Sequence, residues 1–203
     1  MTISTRLSLW PTGQVLLTAI LLLAACPTAQ ADAPRLNVMD DDGRLQGAFV
    51  SVDLHASILS DAADKALLSG TFGYAVRGGY RWNSWGVFAQ FEHNLWLATE
   101  QSVEVVSGVF NIGVGVDVTY ARGFVRSSLV VGPSILSFDS ALDDAGTTGV
   151  FFELRPVGLR WVVHENIMVG LDPISFALIM PVLSGIPIVE PQYRTTFTVE
   201  GLF

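Results

Sequence analysis

The stretch Phe110–Tyr120 reads FNIGVGVDVTY. Phe110, Ile112, Val114, Val116, Val118 and Tyr120 are apolar or aromatic, and Asn111, Gly113, Gly115, Asp117 and Thr119 between them are small or polar. That period of two belongs to a strand with one oily face, and no 3.6-residue helical template accommodates it. The same alternation runs outward in both directions. Thr71–Trp82 (TFGYAVRGGYRW) sets Phe72, Tyr74, Val76, Tyr80 and Trp82 against Thr71, Gly73, Arg77 and Arg81. Trp85–Trp96 sets Val87, Ala89 and Phe91 against Gln90, Glu92 and Asn94, and the C-terminus sets Tyr193, Thr195, Phe197, Val199 and Phe203 against Gln192, Arg194, Thr196, Thr198 and Glu200. Weaker alternation marks strands at Ala48–Ile58, Phe124–Ile135, Gly149–Val162 and Ile167–Ile179. In the last two, Pro156 and Pro173 predict bulges where the facing parity shifts.

Eight strands result. Three connections are tight (Asn83-Ser84, Ala121–Gly123, His164–Asn166), whereas 59–69, 98–107, 138–148 and 180–190 are longer. Such short-long alternation is expected of an all-β, eight-stranded antiparallel up-and-down barrel, trimmed at one end and elaborated at the other.

Composition narrows the function. The 203 residues are 50% hydrophobic and only 15% charged, with a net charge of −8, and the mean hydropathy is +0.47. A chain this acidic is a poor partner for nucleic acid, and none is expected. One Cys excludes an internal disulfide, and three scattered histidines, His55, His93 and His164, offer no zinc-ligand spacing. No cofactor or metal is expected.

Residues 1–31 have the organisation of a signal peptide: Arg6, the apolar run Val15–Ala25, and Ala29-Gln30-Ala31 as an A-x-A cleavage site. The apolar run is too short to span a bilayer as a helix. Leu23-Ala24-Ala25-Cys26 also has the form of a lipobox, which would make Cys26 a lipidation site and leave the product lipid-anchored. Pro27 and the A-x-A that follows favour ordinary cleavage. Residues 32–44 form a polar periplasmic lead-in, and 45–203 the barrel.

Two environments suit alternating strands: a soluble exported barrel with its oily face inward, of lipocalin type, or a membrane barrel with its oily face in lipid. The aromatics discriminate. Tyr80, Trp82, Trp85, Tyr120, Phe124, Trp161 and Phe203 all fall at strand ends beside the short turns or at the terminus, as an interfacial girdle does. On the opposite faces, Arg77, Arg81, Arg126, Arg155, Arg160 and Arg194 stand with Asp53, Glu92, Asp117, Glu153, Asp172 and Glu200. Six cations and six anions can pair across a narrow lumen.

The signal peptide, the eight strands and a last strand ending YRTTFTVEGLF resemble the small outer-membrane β-barrels of Gram-negative bacteria, the OmpA/OmpX/OmpW-like superfamily. The resemblance covers nearly the whole chain after the signal peptide and is one of pattern, without a subfamily signature. It implies a bacterial outer-membrane location, outer-membrane lipid as surroundings, a monomer, and Tyr193, Phe197 and Phe203 as the signal read by the barrel-assembly machinery; Gly201 departs from the bulkier residue usual there. It also places the short turns in the periplasm and the long loops outside. Those loops carry Asp61, Asp64, Glu100, Glu104, Asp139, Asp143, Asp144 and Glu190 against Lys65. Asp139, Asp143 and Asp144 match no EF-hand spacing and read as a solvated acidic surface.

A non-enzymatic role in envelope integrity or surface interaction is the expectation. Two alternatives have residues behind them. Gly73, Gly79, Gly113, Gly115, Gly132, Gly158 and Gly170 thin the wall, which suits a narrow pore or hydrophobic conduit as well as strand curvature. Asp53, His55 and Ser57 share one face of the first strand, an acid, base and nucleophile that a lipid-modifying enzyme could use, yet without a G-x-S-x-G context.

Overall fold

The computed structural model describes residues 46–59, 70–82, 84–96, 106–121, 123–138, 147–164, 166–183, 186–187 and 189–203. The signal peptide, Cys26, the lead-in and the acidic residues of the first three long loops lie outside them, as does the side chain of Glu190.

The strands are β1 (Gly47–Leu59), β2 (Gly70–Trp82), β3 (Trp85–Trp96), β4 (Val106–Tyr120), β5 (Val125–Phe138), β6 (Thr147–His164), β7 (Ile167–Leu183), the two-residue β8 (Ile186–Pro187) and β9 (Glu190–Leu202). Consecutive long strands pair antiparallel, β6 pairs β7, β7 pairs β9, and β9 returns to β1. The sheet therefore closes on itself as an eight-stranded barrel, with β8 folded back on the end of β7. Closure leaves no unpaired edge, which a wall facing hydrocarbon cannot tolerate. The seam is tied at its end by Ala48 and Phe203, whose backbones exchange hydrogen bonds of 3.1 and 2.8 Å.

The long strands run from 12 to 18 residues, more than the roughly 9–11 a tilted transmembrane strand needs. Alternation holds in every one. In β1, Phe49, Ser51, Asp53, His55 and Ser57 point inward and are buried, while Val50, Leu54 and Ile58 point outward and are exposed. The turn between β4 and β5 holds Ala121 and Gly123 at φ 52° and 79°.

Both proline bulges are present and both shift the parity. In β6, Phe151, Glu153 and Arg155 face inward; the register slips between Leu154 and Val157, and Arg160 then faces inward. In β7, Met168 and Asp172 face inward, the pairing with β9 slips between Asp172 and Ser175, and Ser175, Ala177 and Ile179 take over. A proline has no N–H to leave unpaired when the ladder slips, so a bulge costs less there.

The structure differs from the sequence pattern at some ends. β7 continues to Leu183 and β8 pairs back on it, so most of 180–190 is extended ladder. Pro181 falls at a register irregularity between β6 and β7, where no ladder donor is required of it. Similarly, His164 remains in β6, paired with Ile167, which shortens that turn, and β4 begins at Val106 inside the expected 98–107 loop.

Candidate functional site

Among the described residues, the inward strand faces carry twelve charged side chains, none more than 4% exposed. Near the short-turn end, Arg81 bridges Asp117 and Glu200 at 2.7 Å each. Arg160 also pairs with Glu200. Arg126 stands between Glu200 (3.7 Å) and Asp172 (3.1 Å) and links this group to the middle of the barrel. There Arg155 contacts Asp172 (2.8 Å), Asp53 (2.9 Å) and Glu153 (3.1 Å), and Arg77 contacts Asp53 (2.9 Å) and Glu153 (3.3 Å). Arg194 extends the chain toward the loop end through Glu153 (3.5 Å) and Glu92 (3.0 Å). Glu92 is also bonded by the amides of Gln90, Asn94 and Asn111 at 2.9, 2.6 and 2.9 Å. Every member thus has an opposite charge, and the twelve form one connected, charge-balanced network.

Aromatic rings fill the space beside the charges. The Arg81 guanidinium lies 4.5 Å from the Phe49 ring, Arg77 4.9 Å from Phe88, and Arg194 5.9 Å from Phe151. Phe49 and Phe88 meet edge to face at 6.3 Å. Cations over ring faces replace water at little electrostatic cost. The glycines of the wall are likewise occupied by neighbours. A Cβ on Gly115 would overlap the Phe88 ring, one on Gly73 would overlap His55 and Asn94, and one on Gly158 would overlap Asp172. These glycines make room for side-chain partners rather than for an open channel at those positions.

The wall itself is satisfied where it bulges. The Ser127 hydroxyl donates to the carbonyl of Pro156, and Tyr120 Oη lies 2.5 Å from Ser127 Oγ. On the other bulged strand, Thr195 Oγ1 donates to the carbonyl of Pro173 at 2.9 Å. All three hydroxyl-bearing side chains lie on the outward face of the barrel, where a bare carbonyl would meet hydrocarbon.

Outward faces carry a continuous coat of aliphatic and aromatic side chains, among them Leu54, Val114, Val131, Leu154, Ile174 and Phe197. This is a soluble barrel turned inside out: the oily face is outside and the charges are inside, so a lipocalin-type arrangement is excluded. Around the short-turn end, Tyr80, Trp82, Trp85, Tyr120, Phe124, Trp161 and Phe203 are all exposed. Tyr80 and Trp82 meet at 4.8 Å with their rings tilted, as do Trp82 and Trp85, and Phe124 meets Trp161 at 5.7 Å. Tyr193 and Phe197 point outward from β9 and are about half exposed.

A second belt, which the sequence pattern did not single out, lies toward the loop end. His93 stacks on Phe110 at 4.2 Å and meets Tyr74 edge-on at 5.6 Å, and Phe176 packs against Tyr193 at 5.3 Å. Along their strands Tyr74, His93, Phe110 and Tyr193 stand eight to ten positions from Trp82, Trp85, Tyr120 and Phe203 at the short-turn end. At about 3.3 Å per residue and a tilt of about 40°, the belts are roughly 20–25 Å apart, the height of an outer-membrane apolar band. The signal was present in the aromatic identities, but only the register shows that they share a level.

Asp53, His55 and Ser57 lie on one inward face, all buried, yet they do not assemble as acid, base and nucleophile. Asp53 is held by Arg77 and Arg155, and His55 Nε2 lies 2.5 Å from Asn94 Oδ1.

The fold and its inside-out polarity define a class: closed eight-stranded antiparallel barrels with an apolar outer face and a charged interior. Among solved structures, the chain is similar to Neisserial surface protein A, with a TM-score of 0.62 and 15% identity, covering 77% of this chain and 97% of that one. It is also similar to Ail, the attachment invasion locus protein of Yersinia pestis, with a TM-score of 0.46 and 14% identity over 78% of this chain and 99% of that one. No family model matches the chain, and no curated protein matches its sequence.

Proposed function

We propose that this chain is a non-enzymatic integral outer-membrane protein that strengthens the envelope and presents its loops for surface interaction. The observation that carries this reading is the sealed interior: twelve charged side chains paired across the lumen and at most 4% exposed. A conducting barrel keeps its lining charges in contact with water, and eight strands leave an interior just wide enough for side chains to fill. The work therefore falls to what the barrel displays at its surface. Eight acidic loop residues against Lys65 make that exterior repulsive to polyanions and suited to cationic partners. The buried Asp53, engaged by two arginines, supports the absence of catalysis on β1.

Reconstitution in a planar lipid bilayer tests the reading. The purified chain should raise no discrete conductance steps above the lipid baseline, while remaining a folded barrel by its boiling-dependent gel mobility. Reproducible steps from folded protein would instead favour a narrow pore.

A further inference from the structure

The lipid-facing wall is not uniformly convex. On the outward face, Gly78 of β2 is the register partner of Ala89 of β3, and Ala89 is in turn the partner of Val114 of β4. A glycine and an alanine therefore sit side by side on the outward face. Larger neighbours two positions away on the same strands, Tyr80, Val87 and Val116, rise around them, with Leu129 of β5 completing the rim. The result is an apolar groove of about 690 Å³ without a charged residue in its lining.

Its depth identifies what meets it. Gly78 and Ala89 stand four residues from Trp82 and Trp85 in the short-turn girdle, about 10 Å along the barrel axis at the usual rise and tilt. Tyr80 belongs to both the groove and the girdle, its ring tilted against Trp82 at 4.8 Å. The groove thus opens from the interfacial belt into the hydrocarbon layer, continuous with the level where lipid headgroups sit. We propose that it is a lipid site, seating one acyl chain of a glycerophospholipid from the leaflet on the short-turn side, with the headgroup beside Tyr80, Trp82 and Trp85. The proposal rests on the membrane-barrel reading. A fixed lipid there fills a depression that freely moving chains would pack poorly.

Native mass spectrometry tests the site on the full barrel reconstituted in vesicles of phosphatidylethanolamine and extracted into detergent. Ala89→Phe fills the groove, and Ala56→Phe, also outward but on β1, adds the same ring elsewhere. The unaltered chain and Ala56→Phe should each retain one phosphatidylethanolamine, and Ala89→Phe should show about tenfold lower occupancy. Boiling-dependent gel mobility confirms that each variant is folded, so loss of the barrel, which would sink the membrane reading, is distinguishable from loss of the lipid. Equal retention by all three proteins, or none by the unaltered chain, would overturn the proposal. So would a dimer mass that Ala89→Phe abolishes, which would assign the groove to a second copy of the chain.

Discussion

Arg155 Nη1 and Asp172 Oδ2 lie 2.8 Å apart on adjacent strands, each side chain one residue before a bulge proline. Arg155 precedes Pro156 and Asp172 precedes Pro173, and just beyond the prolines Val157 pairs with Ile174. The two slips in register are thus neighbours. Their inner side is fastened by an ion pair and their outer side by Ser127 and Thr195, which bond the two proline carbonyls. A place where two ladders slip together is otherwise the weakest stretch of wall, and here it is held from both faces.

Loss of one partner in the buried network should be costly. Arg155→Ala takes one cationic partner from each of Asp53, Glu153 and Asp172 and should lower stability by about 3–5 kcal/mol, against less than about 1 kcal/mol for the loop substitution Asp143→Asn. Urea titration in detergent micelles, read by gel mobility without boiling, compares the two midpoints. In the double variant Arg155→Met with Asp172→Leu, the loss should be smaller than the sum of the single losses, because the two residues share one contact. Additive losses would mean that the pair is not coupled.

The hydroxyl caps make a separate prediction about the wall. Thr195→Val exposes the Pro173 carbonyl and should cost about 1–3 kcal/mol; Thr195→Ser keeps a donor and should cost less, and Ser127→Ala should also cost less, because the Tyr120 hydroxyl lies 3.4 Å from the Pro156 carbonyl. The same titration measures the order of the three.

Depth in the membrane should govern the cost of a charge on the outer face. Val114 is mid-band and 66% exposed, and Val118 lies two residues from Tyr120 in the girdle. Arginine at Val114 should cost about 2–4 kcal/mol and at Val118 about 0–1 kcal/mol, where the side chain can reach the interface. Folding equilibria into phospholipid vesicles give both values. Equal costs would mean that the two positions do not differ in depth.

Much of the architecture was legible because a strand's period of two is written locally. Phe110–Tyr120 alternates without exception, and Pro156 and Pro173 mark the positions where two strands change parity. What was not local was harder to read. The inward faces gave six cations and six anions, but that Arg155 takes Asp53, Glu153 and Asp172 at once depends on the register of β1, β6 and β7. Phe49, Phe88 and Phe151 look like breaks in polar faces until guanidinium groups are seen over their rings. Tyr74, His93 and Phe110 form a level only when β2, β3 and β4 are aligned. β7 runs on past Ile179 through Pro181, because the register irregularity with β6 at that point asks for no ladder bond from the proline.

The central claim is a closed, lipid-embedded barrel with a charged, sealed interior. Cells expressing the full chain should be fractionated, and the membranes run on SDS gels with and without boiling. Recovery in the outer membrane, with faster migration before boiling than after it, is the predicted result. A soluble protein with one mobility would contradict the account, because the exposed coat of valine, leucine and phenylalanine would then have no lipid to cover it.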